Sequence, residues 1–249
     1  MALPSKLSVP GLALLASLSS CAAQEPADDG IGDTVLYEVP QGIFVDRKST
    51  PVDLAIGSEV GLTFKSDPID PNEMGPVQEK LRSEGRTTIG IKAASDADYG
   101  MVVAQLRPIA RDNSFELLAL EAFRKVENVS DGEAAEVVAR GFKGETGETE
   151  LPVLVGYASE SDRCVVVLSD QAVSSEELYD LSFTWLDSIV ERAGGVEAII
   201  SKPGAVDSLV ARVQSTPDTP WRCIGGAIYN ISVAGWPYIR LDVVEPSGT

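Results

Sequence analysis

Catalysis draws on a short roster of side chains, and this chain lacks one of them: among 249 residues there is no histidine. That removes Ser-His-Asp and Cys-His hydrolysis, His-ligated zinc and the HExxH peptidases together. No pair of cysteines has zinc-knuckle spacing, and GxSxG, SxxK, Walker and GxGxxG motifs are all missing. No cofactor is expected. Chemistry is left to carboxylates, hydroxyls, amides and a few aromatics.

Among the carboxylates, Asp67-Pro68-Ile69-Asp70-Pro71-Asn72-Glu73 packs three acids and an amide into one short stretch. Asp67, Asp70, Asn72 and Glu73 make it the chain's calcium candidate, since Ca²⁺ takes 6–8 oxygen ligands. The spacing is not that of an EF-hand loop, and the two prolines suit a helix-opening turn, which is the heavier reading. A carboxylate pair facing across a cleft could also hydrolyse a glycosidic bond. Spacing along the chain cannot show such a pair, so an envelope-polysaccharide hydrolase stands as the alternative function.

Of the three cysteines, Cys164 and Cys223 lie deep in the sequence. If the chain is exported they read as a disulfide worth about 4 kcal/mol by loop closure, the alternative being two buried thiols. Around Cys223 gather Trp221, Tyr229, Trp236 and Tyr238. Aromatics with a polar edge suit a binding surface. They equally suit packing over a disulfide, which carries more weight here.

The elements that must position these groups follow from periodicity. Strands are expected over 34–39, 42–46, 52–56, 60–64, 86–93, 151–158 and 164–169. The stretches 99–109 and 115–126 are read as a strand pair, although 115–126 also fits an amphipathic helix. Asp70 and Pro71 would open a helix to Ser83. Ser130 and Glu133 have capping-box spacing for a helix to Phe142, and Ser174 to Glu177 caps the clearest helix, closed by Gly194-Gly195. On that helix Leu178, Leu181, Trp185, Leu186 and Ile189 share a face. A shorter helix is expected over 205–213, then a closing hairpin of 222–233 and 238–244.

Strands and helices mix here without regular βαβ alternation, so the expected class is α+β, mostly antiparallel strands with about four helices. Both halves run strands, helix, strands, which points to two similar subdomains, 34–144 and 145–249, divided at the loop 141–150. Ahead of them, 21–33 reads as a flexible polar tether.

The first residues carry one lysine, Lys6, a twelve-residue apolar core from Leu7 to Leu18, and then Leu18-Ser19-Ser20-Cys21. The core is shorter than the roughly 20 residues a membrane span needs, and Pro10-Gly11 interrupts it. It reads as a leader of the secretory kind. Its last four residues resemble the lipobox of bacterial lipoprotein precursors. The resemblance implies cleavage of the signal peptide 1–20, a diacylglycerol thioether on Cys21 and acylation of its amine with palmitate-type chains. Multiple acyl chains anchor firmly where one does not. Ala22, in place of the aspartate that favours inner-membrane retention in enterobacterial members, implies outer-membrane sorting with the domain facing the periplasm. The other reading of the same residues is a plain secretory leader cut after Ala23.

The net charge of −18, or −19 once Lys6 leaves with the leader, makes nucleic acid and anionic headgroups poor partners. The expectation is a lipid-anchored envelope protein with an acidic binding or scaffolding domain. Its partners would be the membrane, through Cys21, and an envelope protein.

Overall fold

The computed structural model describes residues 34–38, 53–59, 61–70, 73–86, 88–110, 116–120 and 131–245. The expected strand over 42–46 lies outside them. The chain begins with β1 (Thr34–Glu38) and then builds an N-terminal unit. Its elements are β2 (Leu54–Gly57), β3 (Gly61–Phe64), β4 (Asp67–Pro68), α1 (Gly75–Ser83), β5 (Thr88–Ala93), α2 (Tyr99–Ala110) and β6 (Glu116–Leu120). Helix α3 (Asp131–Arg140) leads to the C-terminal unit. That unit holds β7 (Glu150–Ala158), β8 (Arg163–Leu168), β9 (Gln171–Val173), α4 (Ser175–Arg192), α5 (Val196–Ser201), β10 (Val210–Ser215), α6 (Trp221–Val233) and β11 (Tyr238–Val243). The class is α+β, with two mixed sheets.

The two units have one topology. Strand order is β4-β3-β2-β5-β6 in the first sheet and β9-β8-β7-β10-β11 in the second, where β1 adds antiparallel to β11. In each, an antiparallel meander supplies one side, and two parallel crossovers through helices supply the other. Registers match position for position. Leu54 faces Phe64 and Ile91 as Val153 faces Leu168 and Val213, and Ile91 faces Ala119 as Val213 faces Leu241. Thr88 and Val210, Tyr99 and Trp221, Glu116 and Tyr238 each open equivalent elements 122 residues apart. Even the tight turns agree. Lys65-Ser66 (φ 51°, 76°) and Ser169-Asp170 (φ 51°, 63°) both close hairpins with two left-handed residues, the type I′ geometry.

The units meet through equivalent loops, each running from a strand into a helix. Tyr99 N–H donates to the Thr219 carbonyl (2.9 Å), and Trp221 N–H to the Ala97 carbonyl (2.8 Å). Gly100 N–H donates to Pro217 (2.9 Å), and Arg222 N–H to Ser95 (2.9 Å). Asp98 and Pro220 bridge between them. Residue for residue this is an isologous contact, so an approximate two-fold axis runs between the loops. It also settles a capping problem, because the first N–H groups of a helix have no intrahelical partner. Each unit's loop supplies those acceptors to the other unit's helix. The rings of Tyr99 and Trp221 stack across the axis at 6.3 Å and are sealed from solvent. A Cβ on Gly100 would sit 2.7 Å from Cβ of Pro217, so the close approach requires glycine.

One buried apolar cluster runs through both units. α4 and α6 lie together on the inner side of the second sheet, and α2 covers β1 and β11. The other side of that sheet is covered by α3, whose Val137 packs on Leu154, Val165 and Val167. Gly156 lets it in, since a Cβ there would lie 2.4 Å from Val137.

Several elements depart from the sequence reading. Residues 99–109 and 222–233 form helices α2 and α6, not strands, and 116–120 pairs parallel with β5 instead of closing a hairpin. Both helices are apolar over most of their surface and rich in Val and Ile, which imitates a strand. In α2 the buried residues nonetheless fall at helical spacing, Tyr99, Val102, Val103, Leu106 and Ile109, whereas α6 is buried without a break from Cys223 to Ala227. The helix expected over 205–213 is instead β10, buried at every position as a central parallel strand is. α1 opens at Met74 with Pro76 in its first turn, so Asp70 does not cap it. The Ser174–Glu177 capping box of α4 is present in both directions.

Candidate functional site

Cys164 on β8 and Cys223 on α6 are disulfide-bonded with Cα atoms 5.1 Å apart, pinning the helix to the meander. Tyr157 sits opposite Cys164 across the β7–β8 pair. The Arg222 guanidinium lies over the Tyr157 ring at 5.1 Å and pairs with Asp162, which also accepts the Tyr157 hydroxyl at 2.7 Å. That hydrogen bond, then burial and the charge of Asp162, hold the phenol above its usual value of 10.0.

The C-terminal aromatics do not form a hairpin surface, because 221–233 is helical and 238–243 lies inside the sheet. Trp221 opens α6 in the core. Trp236 is fully buried and its indole N–H donates to the Ser182 carbonyl at 3.0 Å. Tyr238 is half-buried, its hydroxyl 2.9 Å from Asp207, and Tyr229 is part-exposed on α6. Of the oxygen cluster, Asp67 lies exposed in β4, Asp70 and Glu73 are exposed, and Asn72 is outside the described residues, as is Cys21. Among the described residues no three acidic or sulfur side chains gather to hold a metal ion.

What the structure does build is a groove of about 780 Å³ in the C-terminal unit, open to solvent on one side. Sites for small molecules run to roughly 300–1,000 Å³. Leu154 of β7 and Val167 of β8 form its floor, with Pro152 and Phe142 beside them. These strand residues alternate outward while Leu151, Val153 and Val155 point into the main core. One wall is the α4 face carrying Trp185, Ser188 and Arg192, spaced three and four apart. The loop Thr146-Gly147-Glu148, which Arg192 touches, and the left-handed turn Ser169-Asp170 complete the lining.

That loop is held by groups that make it a fixed rim. From β10, Arg212 reaches the Glu145 carbonyl at 2.9 Å and stacks on Phe142 at 5.0 Å, while Gln214 brackets Lys143 with bonds of 2.7 and 2.8 Å. Arg212 is itself gripped by Asp242, whose Oδ2 accepts at 3.0 and 2.8 Å, with Glu150 at 3.6 Å. Glu150 also takes the Gly147 N–H at 3.0 Å. Among the described residues Arg192 donates to the Glu148 carbonyl at 3.4 Å.

Spacing groups Trp185 with the core face of α4, yet only Leu178, Leu186 and Ile189 of that set are buried; Leu181 is exposed and Trp185 half-buried. The signal in the sequence was a tryptophan followed by a serine and an arginine on its own face. Arg212 had one too, a cation inside the otherwise strand-like VARVQS.

Comparison with protein-family models, with curated proteins and with solved structures returned no match. Among the described residues no helix is long and apolar enough to cross a membrane.

Proposed function

We propose that this chain is an exported, lipid-anchored protein of the bacterial envelope whose acidic α+β domain works by binding, with the groove beside α4 as its binding site. The observation that carries the reading is the bonded Cys164–Cys223 pair in a chain whose third cysteine ends a lipobox-like leader. Disulfides persist in oxidising compartments, and the lipobox resemblance leads to one. The groove supports binding: it has an apolar floor, a few polar groups on its walls, and a rim fixed by the Arg212–Asp242 pair. Fractionation tests the address. The native protein should partition into detergent, and Cys21→Ala should move it to the soluble periplasmic fraction or leave it uncleaved; firm membrane attachment of a variant whose leader has been removed would refute the anchor.

A second reading rests on one observation, that Glu148 and Asp170 both line the groove. Two carboxylates there could serve a glycoside hydrolase, although both are exposed and an acid catalyst is usually kept protonated by an apolar surround. Release of new reducing ends from envelope polysaccharide, abolished by Glu148→Gln or Asp170→Asn, would favour it over binding.

A further inference from the structure

We infer that the groove takes a neutral oligosaccharide, with Trp185 as the surface on which a sugar ring lies. This rests on the binding reading above and specifies its ligand. The chain has three tryptophans, and Trp221 and Trp236 are sealed at 1% and 0% exposure. The third, Trp185, is half-open and lines the groove. A pyranose offers a C–H face that an aromatic ring shelters from water, and a rim of hydroxyls that each need a donor or acceptor.

The polar lining selects among ligand classes by its signs. Arg192 comes from α4, Glu148 from the loop and Asp170 from the turn, so both charges stand around one opening. An anionic ligand meets two carboxylates, and a cationic ligand meets the guanidinium. A neutral polyol uses both signs, because a carboxylate accepts from two adjacent hydroxyls and a guanidinium donates to two. Arg192 has the capacity: its 3.4 Å bond to the Glu148 carbonyl is long and engages one of its five donors. Ser188, one turn earlier on the same face, donates its proton to the Trp185 carbonyl at 2.7 Å and so offers its oxygen as an acceptor. A partly open groove suits a chain of sugars better than an acyl chain, which gains from complete enclosure.

The test uses the purified, disulfide-intact mature protein, titrated with chitotetraose, cellotetraose and maltotetraose while tryptophan emission is followed, with palmitate as the apolar control. Because two of the three indoles are sealed, a ligand lying on Trp185 should shift the emission. At least one tetrasaccharide should give a saturable change. Calorimetry should show Trp185→Ala weakening it about tenfold, the factor that roughly 1.4 kcal/mol of ring contact provides, with Trp185→Phe largely restoring it. Asp170→Asn, on an exposed turn with no part in the core, should weaken binding several-fold at an unchanged melting temperature, so the idea does not depend on the stability of the Trp185 variant. It is overturned if none of the three sugars binds saturably up to about 10 mM, a concentration that would detect even very weak sites. It is equally overturned if Trp185→Ala and Asp170→Asn both bind as the parent does, or if palmitate binds and the sugars do not. An unlipidated Cys21 would remove the anchor and leave this groove untouched, so the two readings fail separately.

Discussion

In the N-terminal unit, Asp53 beside β2 accepts two bonds from Arg86, at 3.0 and 2.7 Å, and a third from the Gly90 N–H at 2.9 Å. In the C-terminal unit the position equivalent to Gly90 is Arg212, and a side chain now fills the outer side of the sheet where the first unit has none. Leu154 and Val167, the groove floor, likewise stand where the N-terminal unit has Ala55 and Thr63. The same topology therefore carries Ala55, Thr63 and Gly90 in one copy where the other carries Leu154, Val167 and Arg212, with a strapped loop, a groove and a disulfide. Backbone pairing fixes the architecture in both, and a handful of outward side chains distinguishes the copy that carries the groove.

The two copies can be pulled apart by substitution. Losing the disulfide should have the largest effect. Cys164→Ala and Cys223→Ala should each lower unfolding free energy by about 4 kcal/mol in denaturant titrations, and clearly unequal effects would argue against a shared bond. Asp242→Ala leaves Arg212 buried beside only the Glu150 carboxylate, at 3.6 Å, and should cost about 3 kcal/mol, the low end for a broken buried pair. It should also loosen 143–148, read as faster amide exchange there. The equivalent break in the other unit, Asp53→Ala, orphans the buried Gly90 N–H and should cost about 2 kcal/mol without disturbing the groove loop. If Asp53→Ala loosened 143–148 as much as Asp242→Ala does, the division of labour between the copies would be wrong.

Gly100→Ala attacks what the copies share. Its methyl group meets Pro217 across the axis and should cost about 1–3 kcal/mol as an overpacked contact. Amide exchange should then rise at both reciprocal caps, Tyr99 and Trp221; a rise confined to one side would contradict the symmetric junction.

The smallest effects are those of pH. The Tyr157 phenol is held protonated above its usual value, so its contribution is complete below pH 10 and fades as pH rises through the raised folded value. Tyr157→Phe should remove that alkaline dependence in melting curves. Glu177 has the opposite sign: the Ser174 backbone N–H bond, then the Ser174 side chain, lower its value, so its cap holds above the ordinary carboxylate range and is lost as pH falls through the lowered one. Glu177→Gln should flatten the acid side of the same curves.

The equivalent helices α2 and α6 were misread in the same way, and for one reason. α6 packs on its own sheet and α2 on β3 and on β1 and β11 of the second sheet, and both meet at the junction, so neither shows the polar stripe by which a surface helix is recognised. Their caps come from a loop more than a hundred residues away, which no local window contains. α4, with solvent on one side and a self-contained capping box, is legible at its Ser174 cap and its Gly194-Gly195 close, though not in its core face, where Leu181 is exposed and Trp185 half-buried. The disulfide was legible by elimination, from three cysteines of which one ends the leader. The groove was not, because its floor, wall, rim and end come from β7 and β8, α4, the 143–148 loop and the 169–170 turn, stretches joined only by the sheet. The repeated topology is legible in the order of elements alone, since registers and turns repeat while the residues that fill them do not.

The central claim, that this domain hangs from lipid in an oxidising space, is tested most directly by the intact mass of the native protein extracted from membranes. The account predicts a chain beginning at Cys21, heavier by a diacylglycerol and an amide-linked acyl group, with Cys164 and Cys223 resistant to alkylation until reduced. A chain starting at Gln24 with no fatty substituent, or one whose two inner cysteines alkylate freely after denaturation without a reductant, would contradict it.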